Sequence, residues 1–270
     1  MELNKKHLLL VAGNSIAVIA TIIINAIAVI LPLNGKTTQE LSDAIPNLFV
    51  PAGITFSIWS VIYVFLIIFM LYQILDLIKK DQSDMTYIKK IGGWFILASL
   101  ANITWIFLWH YEHVTISLVA MLLLLISLLM IYLRLNIGLS TAQLKEKIAV
   151  HTTISIYLGW ITVATIANVT AVMVKLNVGE LVLGQATWTI LVIAVATLIT
   201  VLMLLRRKDI VYSLVIIWAL LGIIIKRLAD DPIYGVQINI AITATIAIII
   251  IIGAILVKTI PTLYKKRTSS

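Results

Sequence analysis

Long apolar runs separated by short polar or basic segments dominate the chain. A helix that crosses a bilayer needs roughly 20 consecutive apolar residues. A lone strand in lipid cannot satisfy its backbone hydrogen bonds, so each run predicts a helix, even the Ile run at 248–252. The pattern predicts an all-α, polytopic membrane bundle of about eight transmembrane helices, at 8–31, 54–78, 91–111, 114–134, 148–174, 187–205, 210–226 and 238–258.

The first apolar run imitates a secretory signal peptide. Lys5 and Lys6 precede it, and Ala26-Ile27-Ala28 near its end resembles a cleavage site. The run extends from Leu8 to Leu31, whereas the apolar region of a cleaved signal is about 7–15 residues long. We therefore interpret it as the first transmembrane helix.

Composition supports an integral membrane protein whose partner is the lipid bilayer. Hydrophobic residues make up 61% of the chain and charged residues only 12%, compared with roughly 25% in soluble domains. The net charge of +8 does not indicate nucleic-acid binding, because the basic residues cluster in short loops between apolar runs. The chain has no cysteine, which excludes disulfides and thiolate chemistry.

The basic residues also predict an orientation. Of the 20 Lys and Arg residues, 16 lie on the side of the predicted bundle that carries both termini. Basic residues concentrate in cytoplasmic loops. The chain is therefore predicted to lie in the plasma membrane with both termini on the cytoplasmic side. The segment 32–53 then lies outside, either as a lid over an outward-facing opening or as a solvated linker.

Ionisable residues avoid the middle of the predicted spans. No Asp, Glu, Lys or Arg lies in the middle third of any predicted span. Ion-coupled transporters usually need such residues as relays. This pattern argues against a proton- or sodium-driven carrier but not against facilitated diffusion.

Three predicted helices instead carry aromatic and amide side chains on one face, judged by a rotation of about 100° per residue. They are Trp94, Asn102, Trp105 and Trp109 in the third helix, Tyr157, Trp160, Ala164 and Asn168 in the fifth, and Thr55, Trp59 and Tyr63 in the second. Two interpretations remain open. Trp and Tyr often mark the membrane interface and Asn often joins helices, or these faces line an aromatic pocket.

One of these polar-aromatic faces occurs in two similar stretches of sequence. Residues 93–104 read GWFILASLANIT, and residues 159–170 read GWITVATIANVT. The third and fifth predicted helices run in the same direction, so the two copies could line one cavity. Asn102 and Asn168 would then bond to a ligand or to each other. Flat Trp walls with few polar groups suit a large, flat, apolar ligand.

The motifs in these helices resemble the TspO/MBR family of tryptophan-rich sensory proteins and translocator proteins. The fifth helix reads YLGWITVATIAN from Tyr157, and the third reads NITW from Asn102. The second reads PAG from Pro51, followed by FSIWSVIY from Phe56. The sequence departs from the family pattern at Ala52, where a second proline is usual.

The resemblance implies a five-helix core at 1–178 with a pocket beneath the loop after the first helix. Residues 179–270 would add three further transmembrane helices and a basic tail. It also implies binding of a porphyrin or another tetrapyrrole, a porphyrin-like small molecule that would be a ligand rather than a required cofactor. The candidate ligand-binding residues are Trp59, Tyr63, Asn102, Trp105, Tyr157, Trp160 and Asn168.

The sequence therefore favours a membrane receptor, sensor or carrier for such a ligand, and not an enzyme. Two alternatives remain open: a permease for another solute by facilitated diffusion, and light-dependent or oxidative porphyrin breakdown. No catalytic residue and no metal site is predicted, and the sequence leaves a homodimer open.

The orientation can be tested with topology reporters. Reporters fused at Thr86, Gln143 or the C-terminus are expected to remain cytoplasmic, because the basic residues cluster there. Reporters in Asn34–Glu40 or near Asp231 should be outside. A C-terminus found outside would refute the eight-helix arrangement.

Overall fold

The computed structural model describes residues 5–31, 33–79, 85–178, 184–231 and 233–267, with side chains to residue 258. Within these ranges the regular elements are helices. The eight long ones, labelled in chain order, are α1 Lys5–Ile30, α2 Ile58–Ile78, α3 Trp94–His110, α4 Val114–Arg134, α5 Thr152–Lys175, α6 Gln185–Arg207, α7 Ile210–Leu228 and α8 Ile238–Arg267. Shorter helical segments are Leu33–Gly35, Thr38–Ala44, Gly53–Ser57, Thr86–Ile91, Leu144–Glu146 and Lys147–His151.

The prediction of a helical membrane protein with about eight long helices is confirmed. Seven segments of the described chain are long and apolar enough to cross a membrane. The exception is α3, which has 17 residues and is therefore about 25 Å long, at the lower limit for a span. It begins at Trp94 rather than at 91, because Gly92 adopts φ 54° and ψ −136° and ends the preceding short helix.

The first five long helices close into a ring. Around the ring the order is α1, α2, α5, α4, α3, and each helix packs against its two neighbours. The helices α6, α7 and α8 pack against one another outside the ring, and α7 rests on α5. The helix α5 therefore has partners on both sides, which explains why it is the most buried of the candidate spans.

Polar contacts fix α7 to α5. Asp209 caps the first turn of α7 by accepting a hydrogen bond from the Tyr212 backbone N–H at 3.1 Å, and its carboxylate also accepts one from Ser155 Oγ at 2.7 Å. Further along, Tyr212 OH bonds to Thr162 Oγ1 at 3.2 Å. Gly159 permits close approach, because a Cβ there would lie 3.2 Å from the Tyr212 carbonyl oxygen.

The segment between α1 and α2 is folded over one end of the ring. We call residues 33–57 the lid, Thr38–Ala44 the lid helix, this end of the bundle the lid end, and the opposite end the basic end. Thr37 and Glu40 form a reciprocal capping box that starts the lid helix. Leu41, Leu48 and Phe49 are buried. The segment is thus a packed lid rather than a solvated linker.

The lid is held by both the ring and the added helices. Asn47 donates to Thr170 Oγ1 on α5 at 2.7 Å. On α7, the Gly222 carbonyl oxygen accepts from the Ala52 N–H at 2.9 Å, and Trp218 Nε1 donates to the Thr55 carbonyl oxygen at 3.0 Å. These contacts make α7 a support for the lid.

The close approach of α7 to the lid predicts that Gly222→Ala is destabilising. A Cβ at Gly222 would lie 1.9 Å from Thr55 Oγ1 and 2.9 Å from Pro51 Cβ. Overpacking of this kind costs about 1–3 kcal/mol, so the midpoint of thermal unfolding in detergent should fall. The matched control is Gly253→Ala on α8, where no described atom lies within 4 Å of the added Cβ. Equal midpoints for the two variants would contradict the prediction.

Candidate functional site: an aromatic cavity beneath the lid

A small cavity lies between α2, α3, α5 and the lid. Its volume is about 50 Å³, and we call it the inner cavity. Five aromatic side chains line it: Phe56, Trp59, Trp105, Trp109 and Trp160. The rest of the lining is Thr38, Ser42 and Pro51 of the lid with Val163, Ala164, Ala167 and Asn168 of α5. Small residues on α5 leave room between the rings.

Trp59 is the centre of an aromatic cluster at the floor of the inner cavity. Its ring stacks on Tyr63 with centroids 5.8 Å apart, and it meets Tyr157 and Trp160 edge-on at 6.1 and 6.3 Å. Offset and edge-to-face pairs of this kind are favourable. Tyr63 and Tyr157 thus lie behind Trp59 and support it, while Trp59 and Trp160 line the cavity.

Trp105 and Asn168 are bonded to each other across the wall of the inner cavity. Trp105 Nε1 donates to Asn168 Oδ1 at 3.0 Å, and Ser117 Oγ on α4 donates to the same oxygen at 3.2 Å. Trp105 also stacks on Trp109, with centroids 5.5 Å apart. One amide therefore joins three helices and fixes the orientation of the ring that faces the cavity.

Asn102 lies apart from the inner cavity. Its Oδ1 accepts a hydrogen bond from Asn25 Nδ2 on α1 at 2.7 Å, and its side chain is fully buried. The expected contact between Asn102 and Asn168 is not formed, because Asn102 faces α1 rather than α5. The structure thus brings Trp59, Trp105, Trp160 and Asn168 together but leaves Asn102 as a link between α1 and α3.

The Trp160 side chain is buried beside the inner cavity. Its side chain is 3% exposed, and its Nε1–H has no hydrogen-bond partner among the described residues. A buried donor without a partner is costly. The Nε1 atom is also closed off from the cavity surface, so Trp160 contributes its ring to the lining rather than a hydrogen-bond donor.

Comparison with known proteins identifies the family. A family model described as TSPO-like protein matches residues 9–257. The chain belongs to this family. The match confirms the resemblance inferred from α2, α3 and α5, and it continues through α6 and α7 into α8. No curated protein and no solved structure matches the chain.

The two copies of the repeated stretch have different positions in this TSPO-like protein. Trp94, which opens the first copy, is the first residue of α3 and lies beneath the Arg134 guanidinium, 5.9 Å from the ring centroid. Its counterpart Trp160 lies well inside α5 and lines the inner cavity. The rings of α3 that line the cavity are instead Trp105 and Trp109.

A second cavity, the vestibule, opens at the lid end. It has a volume of about 270 Å³, and among the described residues it shares only Trp109 with the inner cavity. Its charged lining is Lys36, Glu112 and Lys175, and its apolar lining is Leu41, Ala44, Ile45, Pro46, Val114 and Val174. The lid helix lies between the two cavities and contributes residues to both.

Several lining residues were not predicted from the sequence. Phe56 stands within the motif of α2, and Trp109 shares a helical face with Trp105, so both carried a signal. The lid residues Thr38, Ser42 and Pro51 line the inner cavity as well. No periodic pattern marks the lid, and the spacing of Thr37 and Glu40, which form the capping box, is the one sequence signal that could have indicated a folded element there.

Proposed function

We propose that this protein is a membrane receptor, sensor or carrier that binds a porphyrin or another tetrapyrrole in the inner cavity. Membership of the TSPO-like family points to a sensing or binding role in general. The observation that carries the finer proposal is the convergence of five aromatic side chains from the lid, α2, α3 and α5 around one cavity.

The lining matches the chemistry of a flat conjugated ligand. Aromatic faces offer large apolar area and favourable stacking to another ring system. Small-molecule sites are mostly apolar with a few placed polar groups. Here those groups are the Asn168 amide and the hydroxyls of Thr38 and Ser42.

Binding requires the lid helix to move. Sites for drug-sized ligands occupy about 300–1,000 Å³, whereas the inner cavity has about 50 Å³ and the vestibule about 270 Å³. Displacing the lid helix would join them. The ion pairs that fasten this region, Lys36–Glu112 and Lys226–Asp43, are both partly exposed to solvent and stabilise the closed lid only weakly.

The lining favours binding over catalysis. Its polar groups are hydroxyls, one amide and indole N–H groups, which are poor general acids and bases at neutral pH. We therefore propose that the tetrapyrrole is a ligand and not a cofactor of a reaction. In the orientation predicted from the basic loops, the vestibule opens to the outside.

Trp160→Phe should weaken ligand binding. The change removes part of the aromatic area that lines the cavity, at a cost of about 1 kcal/mol or about fivefold in affinity. The measurement is a titration of the protein in lipid nanodiscs with protoporphyrin, followed by quenching of Trp fluorescence. The matched control is Trp94→Phe, which removes a Trp at the basic end and should leave the affinity unchanged.

Equal affinities for Trp160→Phe and the wild type would contradict this site. Absence of saturable quenching in the wild type would contradict tetrapyrrole binding itself. The absorption spectrum of the complex should also be unchanged after illumination, because a new product would indicate the porphyrin-degrading alternative.

A further inference from the structure

We propose that a polar cavity at the basic end is a second binding site, and that it binds the phosphate group of a ligand. We call it the basic-end cavity. It lies at the opposite end of the bundle from the lid, so the inference is independent of tetrapyrrole binding beneath the lid.

The basic-end cavity is formed by three segments of the chain. The last turn of α2 supplies Asp76, the short helix Thr86–Ile91 supplies Lys90, and the segment 140–146 supplies hydroxyl groups and Lys145. Its volume is about 340 Å³, within the range of small-molecule sites. Among the described residues, its lining has no member in common with the inner cavity or the vestibule. It is therefore a separate and mostly polar space.

The buried carboxylate of this lining already has partners. Asp76 pairs with Lys79 through Oδ1, and its Oδ2 accepts a hydrogen bond from Tyr87 OH at 3.1 Å. The second carboxylate belongs to Glu146, whose Oε1 lies 3.5 Å from His151 Nε2. Because both oxygens of Asp76 are engaged, the basic-end cavity is poorly suited to a cation.

Two ammonium groups of the basic-end cavity have no acidic partner. Among the described residues, Lys90 and Lys145 form no ion pair, and both are exposed where they line the cavity. Together with Lys79, the described lining carries three ammonium groups and two carboxylates. The unpaired positive charge favours an anion as the ligand.

Hydroxyl groups line the same space and can donate to an anion. Ser140 Oγ accepts a hydrogen bond from the Ala142 N–H at 3.1 Å, which leaves its own O–H to donate. Thr86 and Thr141 add two exposed hydroxyls. A phosphate group has three strong acceptor oxygens and nearly two negative charges, so it can accept from the lysines and the hydroxyls together. A carboxylate has two oxygens and one charge, and it would use fewer of these donors.

Two sources present a phosphate group at this end of the bundle. Dissolved phosphate compounds reach it from the aqueous side, and phospholipid headgroups reach it from the membrane surface. The chemistry of recognition is the same for both sources. The test therefore has one arm for each.

The first arm uses inorganic pyrophosphate as a dissolved probe. It is titrated by calorimetry, at fixed ionic strength, into the full chain in nanodiscs of phosphatidylcholine. Saturable binding to the wild type is expected. The double variant Lys90→Gln with Lys145→Gln should weaken it by about tenfold or more, because two charge-assisted hydrogen bonds are lost.

The matched control is the double variant Lys89→Gln with Lys147→Gln. These lysines are also exposed and adjoin the same segments, but they do not line the basic-end cavity. The change in net charge is the same, so the affinity should stay within about twofold of the wild type. A difference between the two double variants thus reports the cavity and not the overall charge.

The second arm uses a lipid probe. The full chain in detergent is mixed with equal amounts of phosphatidic acid and phosphatidylcholine, and bound lipid is counted by native mass spectrometry. Phosphatidic acid ends in an exposed phosphate group, whereas choline covers the phosphate of phosphatidylcholine. Preferential retention of phosphatidic acid that disappears in Lys90→Gln with Lys145→Gln, but not in the control, would identify the ligand as a headgroup.

Glu146→Gln should act in the opposite direction. It removes a negative charge from the lining, so it should strengthen binding in whichever arm detects it. A purely structural role of this lining would not strengthen binding when Glu146 is changed. This variant keeps the proposal testable if the double lysine variant does not fold.

The outcomes of the two arms decide the proposal. Lysine-dependent binding of pyrophosphate supports a dissolved ligand, and lysine-dependent retention of phosphatidic acid alone supports a lipid headgroup. Binding in neither arm, or equal weakening by the two double variants, would overturn the proposal. Neither result depends on whether the inner cavity binds a tetrapyrrole.

Discussion

The hydrogen bond from Trp105 Nε1 to Asn168 Oδ1 sets the geometry on which the site depends. Helices in lipid gain little from hydrophobic association, so their mutual register depends on packing and on polar contacts between them. This bond joins α3 to α5, and the Ser117 hydroxyl adds α4 at the same oxygen. Because the bond fixes the Trp105 ring, one wall of the inner cavity is rigid before any ligand arrives.

Outside the ring, the helix α7 contacts the lid that covers the inner cavity. Gly222 and Trp218 of α7 bond to the lid backbone at Ala52 and Thr55, just before α2, the helix that carries Trp59. The lid is therefore held between the ring, through Asn47 and Thr170, and α7. A structural change in α7 would therefore alter the support of the lid without any direct contact with the inner cavity.

The sequence predicted the helices well because lipid permits few alternatives to a helix. It predicted the start of α3 poorly, because the positive φ of Gly92 ends a short helix inside a segment that the hydropathy pattern assigns to one continuous span. The site was predicted in part. Helical angles place Asn102 and Asn168 on polar faces, but they do not say which helix lies opposite each face. Packing decides that Asn102 meets Asn25 and that Asn168 meets Trp105.

The central claim is that ligand reaches a site beneath the lid helix, and a reversible lock on that helix tests it most directly. The chain has no cysteine, so Asp43→Cys with Lys226→Cys, which replaces an ion pair between the lid helix and α7, can be joined by a short, reducible thiol crosslinker. The account predicts that the crosslinked protein does not bind protoporphyrin and that reduction restores binding. Unchanged binding to the crosslinked protein would contradict the account.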